Sequence, residues 1–259
     1  MKLLKLTQRN YFSVRANHEY MSVSQFKNFC SCEAAALAEV NGKYEREKTT
    51  ALLVGSYVDA YFENTLDRFK EENPEVFHSK TGELKADYKK ANEIIKRIEQ
   101  DKLFMAYLSG KKQVIMTGEI CGVPVKIKVD SLHEDKIVDL KIMKDFENVY
   151  DAVNGSVAWF NGWGYDLQGA VYQEIVRQNT GLQLPFYLAA ATKEKTTDID
   201  IVHIVQKDLD FALERFKQDV ERFDAIKKGI VAAYRCEKCE YCKRTKVLTE
   251  PTESDEFYF

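Results

Sequence analysis

The chain has 259 residues, enough to bury one sizeable core. Hydrophobic residues make up 45% and charged residues 31%, a composition that excludes a disordered chain. The formal net charge of −3 excludes a global basic field, so any contact with nucleic acid has to use a local basic surface. No apolar run approaches the roughly 20 residues of a membrane span, and the N-terminus is too short in its apolar part for a secretory signal. We therefore expect a cytoplasmic protein with no membrane partner.

The first part of the chain predicts an arm followed by a helix. Residues 1–20 carry no clear period and predict a strand or an extended arm. Ser22 predicts the N-cap of an amphipathic helix with Phe26 and Phe29 on its apolar side. Cys30 and Cys32 are expected on that helix.

A second, strongly apolar helix is predicted over 49–65, and Asp59 is its odd residue. An acid in such a helix is either a partly buried functional carboxylate or part of a narrow solvent stripe, and helix geometry alone leaves both open. The charged stretch 70–83 predicts a loop, and 87–108 predicts a charged amphipathic helix.

A three-stranded meander is predicted over 113–141, with strands at 113–119, 125–130 and 136–141. The second strand ends on Asp130. Asp139 and Lys141 lie two apart on the third strand and so share a face. Two carboxylates on adjacent strands suit a divalent metal, and a lysine beside them suits phosphodiester chemistry. Taken alone, Asp-x-Lys is far more often part of an ordinary surface hairpin than of such a site.

The connector 144–164 contains Trp159 and Trp163, which are expected either to anchor in the core or to stack on a ligand. A helix is predicted over 165–178, with Gln168 and Tyr172 on one face because they are four apart. Strands at 184–191 and 200–205, a helix over 209–233 and a poorly ordered tail after Leu248 complete the prediction.

Cys236, Cys239 and Cys242 place three thiols within seven residues. In a cytoplasmic protein such spacing favours metal or cluster ligation over disulfides. Cys121 stands alone before a glycine and predicts an ordinary small strand residue.

Taken together, these features resemble the PD-(D/E)XK nuclease superfamily, and within it the RecE-type (exonuclease VIII-like) and RecB-like phage recombination exonucleases. The resemblance covers nearly the whole chain from Ser22 to Lys246. It implies an α/β (α+β) fold with a restriction-endonuclease-like core, a central mixed β-sheet flanked by helices. It also implies one domain over 1–259, with an N-terminal arm at 1–20 and a Cys-rich C-terminal segment at 234–259.

The resemblance assigns the site residue by residue. Asp130 and Asp139 match the two metal-binding acids, Lys141 matches the motif lysine, and the backbone carbonyl of Leu140 would also bind the metal, Mg²⁺ or Mn²⁺. Asp59 matches the histidine position of a Gly-x-x-x-His motif that begins at Gly55. Gln168 and Tyr172 match a Gln-x-x-x-Tyr motif whose helix lies beside the site and contacts DNA.

The same branch contains proteins with an iron–sulfur cluster held by one N-terminal and three C-terminal cysteines. The resemblance assigns Cys32, Cys236, Cys239 and Cys242 to that role, with Cys30 in reserve for the N-terminal cysteine. Glutamate follows Cys32 where proline is usual in the family. A [4Fe–4S] cluster, a four-cysteine Zn²⁺ site and free thiols stay open as alternatives.

The implied function is a metal-dependent exodeoxyribonuclease that degrades double-stranded DNA ends, 5′ to 3′, in phage or prophage recombination. The family also implies a single-strand annealing partner and a ring-shaped homo-oligomer. Two alternatives stay open, a structure-specific endonuclease with the same fold and a catalytically inactive DNA-binding module.

Overall fold

A mixed sheet forms the centre of the computed structural model, which describes residues 3–151, 155–248 and 250–251. Within those residues, five strands follow the order β1-β2-β3-β6-β7, and β4 pairs separately with β5. The strands are β1 Lys111–Ile120, β2 Val123–Leu132, β3 Ile137–Met143, β4 Val149–Asp151, β5 Gly155–Val157, β6 Phe186–Thr192 and β7 Ile199–Ile204.

The direction of each strand follows from its connection. Strands β1, β2 and β3 form an antiparallel meander, as predicted from their alternating pattern. A helical crossover then returns the chain so that β6 lies parallel to β3, and β7 pairs antiparallel to β6. The prediction of a mixed central sheet flanked by helices is therefore confirmed.

Helices cover both faces of the sheet, which separates two hydrophobic cores. One core contains residues of α2, α3, α9 and α10, and the other contains residues of α4, α5, α6 and α7. The helices are α1 Val14–Glu19, α2 Val23–Ser31, α3 Glu33–Val40, α4 Thr50–Phe62, α5 Leu66–Glu72, α6 Lys90–Glu99, α7 Lys102–Leu108, α8 Trp159–Gly162, α9 Tyr165–Thr180, α10 Gln206–Lys227 and α11 Glu240–Arg244.

Strands β2 and β3 pair over a short distance only. Ser131 pairs with Val138 and Leu132 with Ile137, after which the two strands part. On the far part of β2, Met21 takes the neighbouring position: its amide donates to the Pro124 carbonyl at 2.8 Å. The gap between β2 and β3 leaves room for side chains, and Asp130 and Asp139 lie just beyond the last paired residues.

Several boundaries differ from prediction. Asp130 and Asp139 lie within their strands, not at the ends, because pairing with β1 and β6 extends β2 and β3 further. Cys32 does not lie on a helix: it adopts an extended backbone (φ −165°, ψ 109°) that separates α2 from α3.

Most other differences lie in charged stretches, where the pattern of residues indicates which side chains are exposed but not where a helix begins or ends. The predicted arm contains α1, the predicted loop 70–83 begins with the end of α5 and includes a 3-10 turn at Pro74–Val76, and the predicted helix 87–108 is split into α6 and α7 at Asp101, the N-cap of α7. The predicted helix 209–233 is α10, displaced toward the N-terminus. The connector 144–164 contains β4, β5 and α8, although 152–154 lie outside the described residues, as does most of the tail after Leu248.

Candidate active site and cysteine cluster

Asp139 and Lys141 meet on one face of β3, as strand alternation predicts. The Lys141 ammonium forms an ion pair with Asp139 Oδ2, and the Asp139 side chain is 1% exposed. Burial alone would lower the pKa of Lys141, but Asp139 and Asp130 together outweigh that effect and raise it. The lysine is therefore held as a cation beside two acids.

Asp130 is held in the gap between β2 and β3. The amide of Leu140 has no ladder partner on β2, and it donates to Asp130 Oδ2 at 3.1 Å. Burial, and after it the charge of Asp139, raises the pKa of Asp130 well above its usual range. Crowded acids of this kind are stabilised as anions by a cation placed between them. The role predicted for the Leu140 carbonyl stays a prediction.

Asp59 reaches the same region from α4. Burial, opposed in part by Lys141 and reinforced by Glu63 and Asp139, raises its pKa to about 7. Its Oδ1 atom is buried and has no hydrogen-bond partner among the described residues. Such an oxygen is costly unless a ligand satisfies it, and the functional role of Asp59 stays a prediction.

The helix α9 supplies the Gln168 and Tyr172 side chains. Gln168 Nε2 donates to Asp139 Oδ1 at 2.6 Å, and the Tyr172 hydroxyl donates to the Lys128 carbonyl at 3.2 Å. Both residues thus fix the acids and the strand that carry the site. The contact with DNA implied for them stays a prediction.

Two site residues were missed by the sequence analysis, Glu63 and Gln113. Gln113 Nε2 donates to Glu63 Oε1 and, at 3.4 Å, to Asp130 Oδ1. Glu63 is four residues after Asp59, a spacing that places both at neighbouring positions and that a search for helical pairs would have found. Gln113 carries no such signal, because its role depends on a left-handed backbone (φ 53°) opposite Asp130.

The donor set fits a divalent cation of the Mg²⁺ or Mn²⁺ type, since the acids supply carboxylate oxygens and the buried Oδ1 atom of Asp59 has no hydrogen-bond partner among the described residues. The carboxylate oxygens of Asp59, Asp130 and Asp139 do not all lie within 4.8 Å of one another. Among the described residues, four cysteines are gathered that closely.

Those four cysteines are Cys32, Cys236, Cys239 and Cys242, whose sulfur atoms all lie within 4.8 Å of one another. The Cys32 and Cys242 sulfurs are 3.6 Å apart, and those of Cys236 and Cys242 are 3.9 Å apart. Hydrogen bonds from the Lys238 and Cys239 backbone lower the pKa of Cys236 to about 6, which favours the thiolate that metal binding requires. Cys30, the reserve candidate, is exposed.

Glu33, which directly follows Cys32, joins the N-terminal part of the chain to segments near its C-terminal part. Its carboxylate accepts two hydrogen bonds from Arg222, both at 3.0 Å, and one from the Tyr234 amide at 2.7 Å. Because Tyr234 precedes the cysteine triplet, these bonds place the triplet beside Cys32.

A family model described as a PDDEXK-like domain of unknown function (DUF3799) matches residues 22–245. The chain belongs to this PDDEXK-like family. Its five-stranded mixed sheet flanked by helices is consistent with the fold of the PD-(D/E)XK nuclease superfamily, as the sequence predicts.

The PDDEXK-like chain is also similar to a solved crystal structure from Eubacterium rectale, that of a protein provisionally described as an exonuclease. The two are 49% identical, the match covers 98% of each chain, and the TM-score is 0.94. No curated protein matches the chain. None of the helices in the described part of the chain combines the length and apolarity needed to cross a membrane.

Proposed function

We propose that the protein is a metal-dependent nuclease that hydrolyses phosphodiester bonds at the ends of double-stranded DNA. The observation that carries the proposal is the ion pair of Lys141 with buried Asp139, beside Asp130 and the unpartnered oxygen of Asp59. Acids arranged to bind a cation, with an ammonium next to them, are what this hydrolysis needs.

Asp59, Asp130 and Asp139 would hold Mg²⁺ or Mn²⁺, which supplies a Lewis acid for the phosphate and lowers the pKa of a bound water. Lys141 would then stabilise the negative charge that develops on the phosphate. Gln168 fixes the orientation of Asp139, and Tyr172 fixes β2 beside it. The protein's own contribution is thus the positioning of charges before the substrate arrives.

Action at DNA ends is favoured by the similar Eubacterium rectale protein, whose description is that of an exonuclease. By resemblance we further propose 5′ to 3′ polarity, a role in phage or prophage recombination with a single-strand annealing partner, and a ring-shaped homo-oligomer. A cytoplasmic location is supported by the cluster of unpaired thiols, which a reducing compartment preserves.

The test is incubation of the purified protein with Mg²⁺ and either linear or closed circular duplex DNA. Degradation of the linear DNA alone is the expected result. Cleavage of the circle would replace the exonuclease with a structure-specific endonuclease. Binding without cleavage of either substrate would leave a DNA-binding module and overturn the proposed activity.

We propose that the four cysteines bind a metal, and that the metal is a single Zn²⁺ ion. Sulfurs bound to one tetrahedral ion at a Zn–S distance near 2.3 Å lie about 3.8 Å apart, which matches the 3.6 and 3.9 Å separations. In a [4Fe–4S] cluster each cysteine binds a different iron, so the sulfurs lie further apart. The spacing therefore supports zinc over the cluster that the family resemblance implies.

Anaerobic purification followed by metal analysis separates these alternatives. Colourless protein with about one zinc per chain is expected. Brown protein with about four irons per chain would establish the [4Fe–4S] cluster instead. Protein with neither metal under anaerobic conditions would show that the thiols are free.

A further inference from the structure

A groove of about 930 Å³ opens beside the carboxylate site and extends toward the N-terminal arm. Asp59 and Glu63 line one part of it, and Arg9, Phe12 and Lys128 line another. Because the groove shares its lining with the site, a molecule that lies in the groove also lies next to the acids that would hold the metal. The residues of the arm have no role in the proposed catalysis.

The arm is fixed in place as one wall of this groove. The Lys126 side chain, 1% exposed, donates to the Tyr11 carbonyl at 2.6 Å and to Asn17 Oδ1 at 2.8 Å. Gln8 Nε2 donates to the Gln113 carbonyl at 2.6 Å, close to Asp130. A buried ammonium satisfied by acceptors of the arm is strong evidence for an ordered wall.

The positive charges of the groove are not all neutralised by its acids. Four acids and four cations line the groove, and among the described residues Arg68 pairs with Glu72 whereas Arg9 and Lys128 have no ion pair. Because these two cations are not held in ion pairs, they can contact the phosphates of a nucleic acid although the net charge of the chain is −3.

Phe12 adds an aromatic surface next to those cations. Its side chain is 61% exposed, and the Lys128 ammonium lies 4.9 Å from the centre of its ring. The Tyr11 ring lies behind it at a centroid distance of 4.9 Å. An exposed ring beside a cation is the combination with which proteins hold a single strand, because the ring stacks on a base while the cation contacts a phosphate.

We propose that this groove binds one strand of the DNA substrate, with Phe12 stacking on a base and with Arg9 and Lys128 contacting phosphates. The proposal rests on the proposed nuclease function and adds the path of the strand to it. The N-terminal arm is thereby a part of the substrate-binding surface. The strand leaves the carboxylate site along β2 and passes between the arm and α4.

The first experiment measures the binding of a duplex that carries a single-stranded extension, by fluorescence anisotropy, with Ca²⁺ replacing Mg²⁺ so that the DNA stays intact. Phe12→Ala is expected to weaken binding about tenfold, the loss of one stacked base. Arg9→Ala and Lys128→Ala are each expected to lower the slope of log K against log salt by about 0.7, the loss of one phosphate contact.

Matched controls lie on α10, away from the groove. Phe211→Ala removes an equally exposed ring, and Lys207→Ala removes an exposed cation. Both are expected to bind as the unchanged protein does. Thermal melts of all five variants check that each is folded.

The outcomes separate this inference from the proposed function. If the unchanged protein cuts DNA and all three groove variants bind as tightly as the controls, the strand path is overturned and the nuclease function stands. If the unchanged protein neither binds nor cuts DNA, both are overturned.

A second measurement fixes the location directly. An oligonucleotide with 5-iodouracil in its extension is irradiated in the complex, and the crosslinked peptide is identified by mass spectrometry. Crosslinking to the peptide that contains Phe12 is expected. Crosslinking confined to Trp163, another exposed aromatic residue, would place the strand elsewhere and overturn the proposal.

Discussion

The carboxylate site and the cysteine cluster are both suited to metal, but the protein builds them in opposite ways. Asp130 and Asp139 lie on neighbouring strands between two extensive cores. Cys32 and Cys242 are 210 residues apart in the chain, and their small core contains only Ala35 as a further fully buried hydrophobic residue among those described.

The difference shows which part of each site depends on metal. The sheet positions the acids whether or not a cation is bound, so a cation at that site adds chemistry to a framework that already exists. The cysteines have little apolar surface around them, and four neighbouring thiolates repel one another without a cation. Metal at the cluster therefore contributes structure. Selective changes at each site test this contrast.

The largest effect is expected from Lys141→Ala. Loss of the ammonium removes its stabilisation of the developing phosphate charge and lowers kcat about 10³-fold, while DNA binding changes little. Single-turnover cleavage and anisotropy measure the two quantities. Lys144→Ala, which removes an exposed lysine just after β3, is the matched control. Loss of binding in step with cleavage would assign Lys141 to DNA docking.

The next largest effect is expected from Cys32→Ser, compared with Cys30→Ser. Cys32→Ser removes a sulfur ligand and lowers Tm by roughly 10 °C, because a metal that ties distant segments stabilises the folded state. Metal analysis and thermal melts with and without a chelator measure the effect. Cys30→Ser changes an exposed thiol outside the cluster and is expected to leave both unchanged.

Cys32→Ser also tests the contrast itself. At a temperature at which the variant is fully folded, its kcat is expected to stay within about twofold of the original value, since among the described residues the cysteine cluster includes none of the acids. A large loss of kcat in folded Cys32→Ser protein would mean that the cluster takes part in the chemistry.

A moderate effect is expected from Gln113→Ala, because the Gln113 side chain donates hydrogen bonds to both Glu63 and Asp130. Gln113 itself has a left-handed backbone conformation, which a non-glycine residue adopts only at a cost. The Mg²⁺ concentration for half-maximal activity should rise about tenfold, roughly the effect of losing an outer partner of a metal ligand. Gln113→Gly loses the same side chain but adopts that backbone freely. Similar Mg²⁺ dependence in both variants assigns the effect to the side chain, whereas recovery with glycine assigns it to the backbone.

The smallest effect is expected on the pH dependence of stability, through Lys227 at the end of α10, which donates to the Tyr20 carbonyl. Burial, opposed by Asp224 and reinforced by Lys126 and Lys228, lowers the pKa of Lys227 to about 7. Between about pH 7 and the ordinary lysine pKa near 10, the unfolded chain binds more protons than the folded one, so stability rises with pH. The increase in Tm from pH 7 to pH 9 should be a few degrees smaller in Lys227→Met than in the original protein.

The neighbouring Lys228 provides the control for that measurement. Its side chain is exposed and paired with Asp224, and its charge is the smallest of the causes that lower the pKa of Lys227, so Lys228→Met is expected to keep most of the original slope. An unchanged slope in Lys227→Met would show that the buried lysine does not produce the pH dependence.

The sequence predicted the fold where local patterns and tertiary structure agree. The meander and the shared face of Asp139 and Lys141 both follow from strand alternation, whereas the parallel pairing of β6 with β3 is not marked by any local pattern. The break at Cys32 was not predictable in this way, because α2 and α3 form one continuous helical pattern in the sequence.

Gln113 and the groove were out of reach for a different reason. Gln113 acts through a backbone conformation that no sequence period marks, and the groove depends on Met21 and the arm packing against β2. Glu63 was within reach, since its spacing from Asp59 is helical. What sequence patterns cannot supply are the contacts between segments far apart in the chain.

The hydrogen bonds of Glu33 join segments of the chain that the ribosome synthesises at different times. The ribosome delivers the meander, α9 and β6 well before Arg222 and Tyr234, the two residues that Glu33 binds. The acids and Lys141 can thus be in position on the nascent chain while Glu33 and Cys32 still lack their partners, because domains condense as their segments emerge. The joining of the two segments at Glu33 therefore follows the positioning of the acids, because Arg222 and Tyr234 are synthesised after the strands that carry those acids.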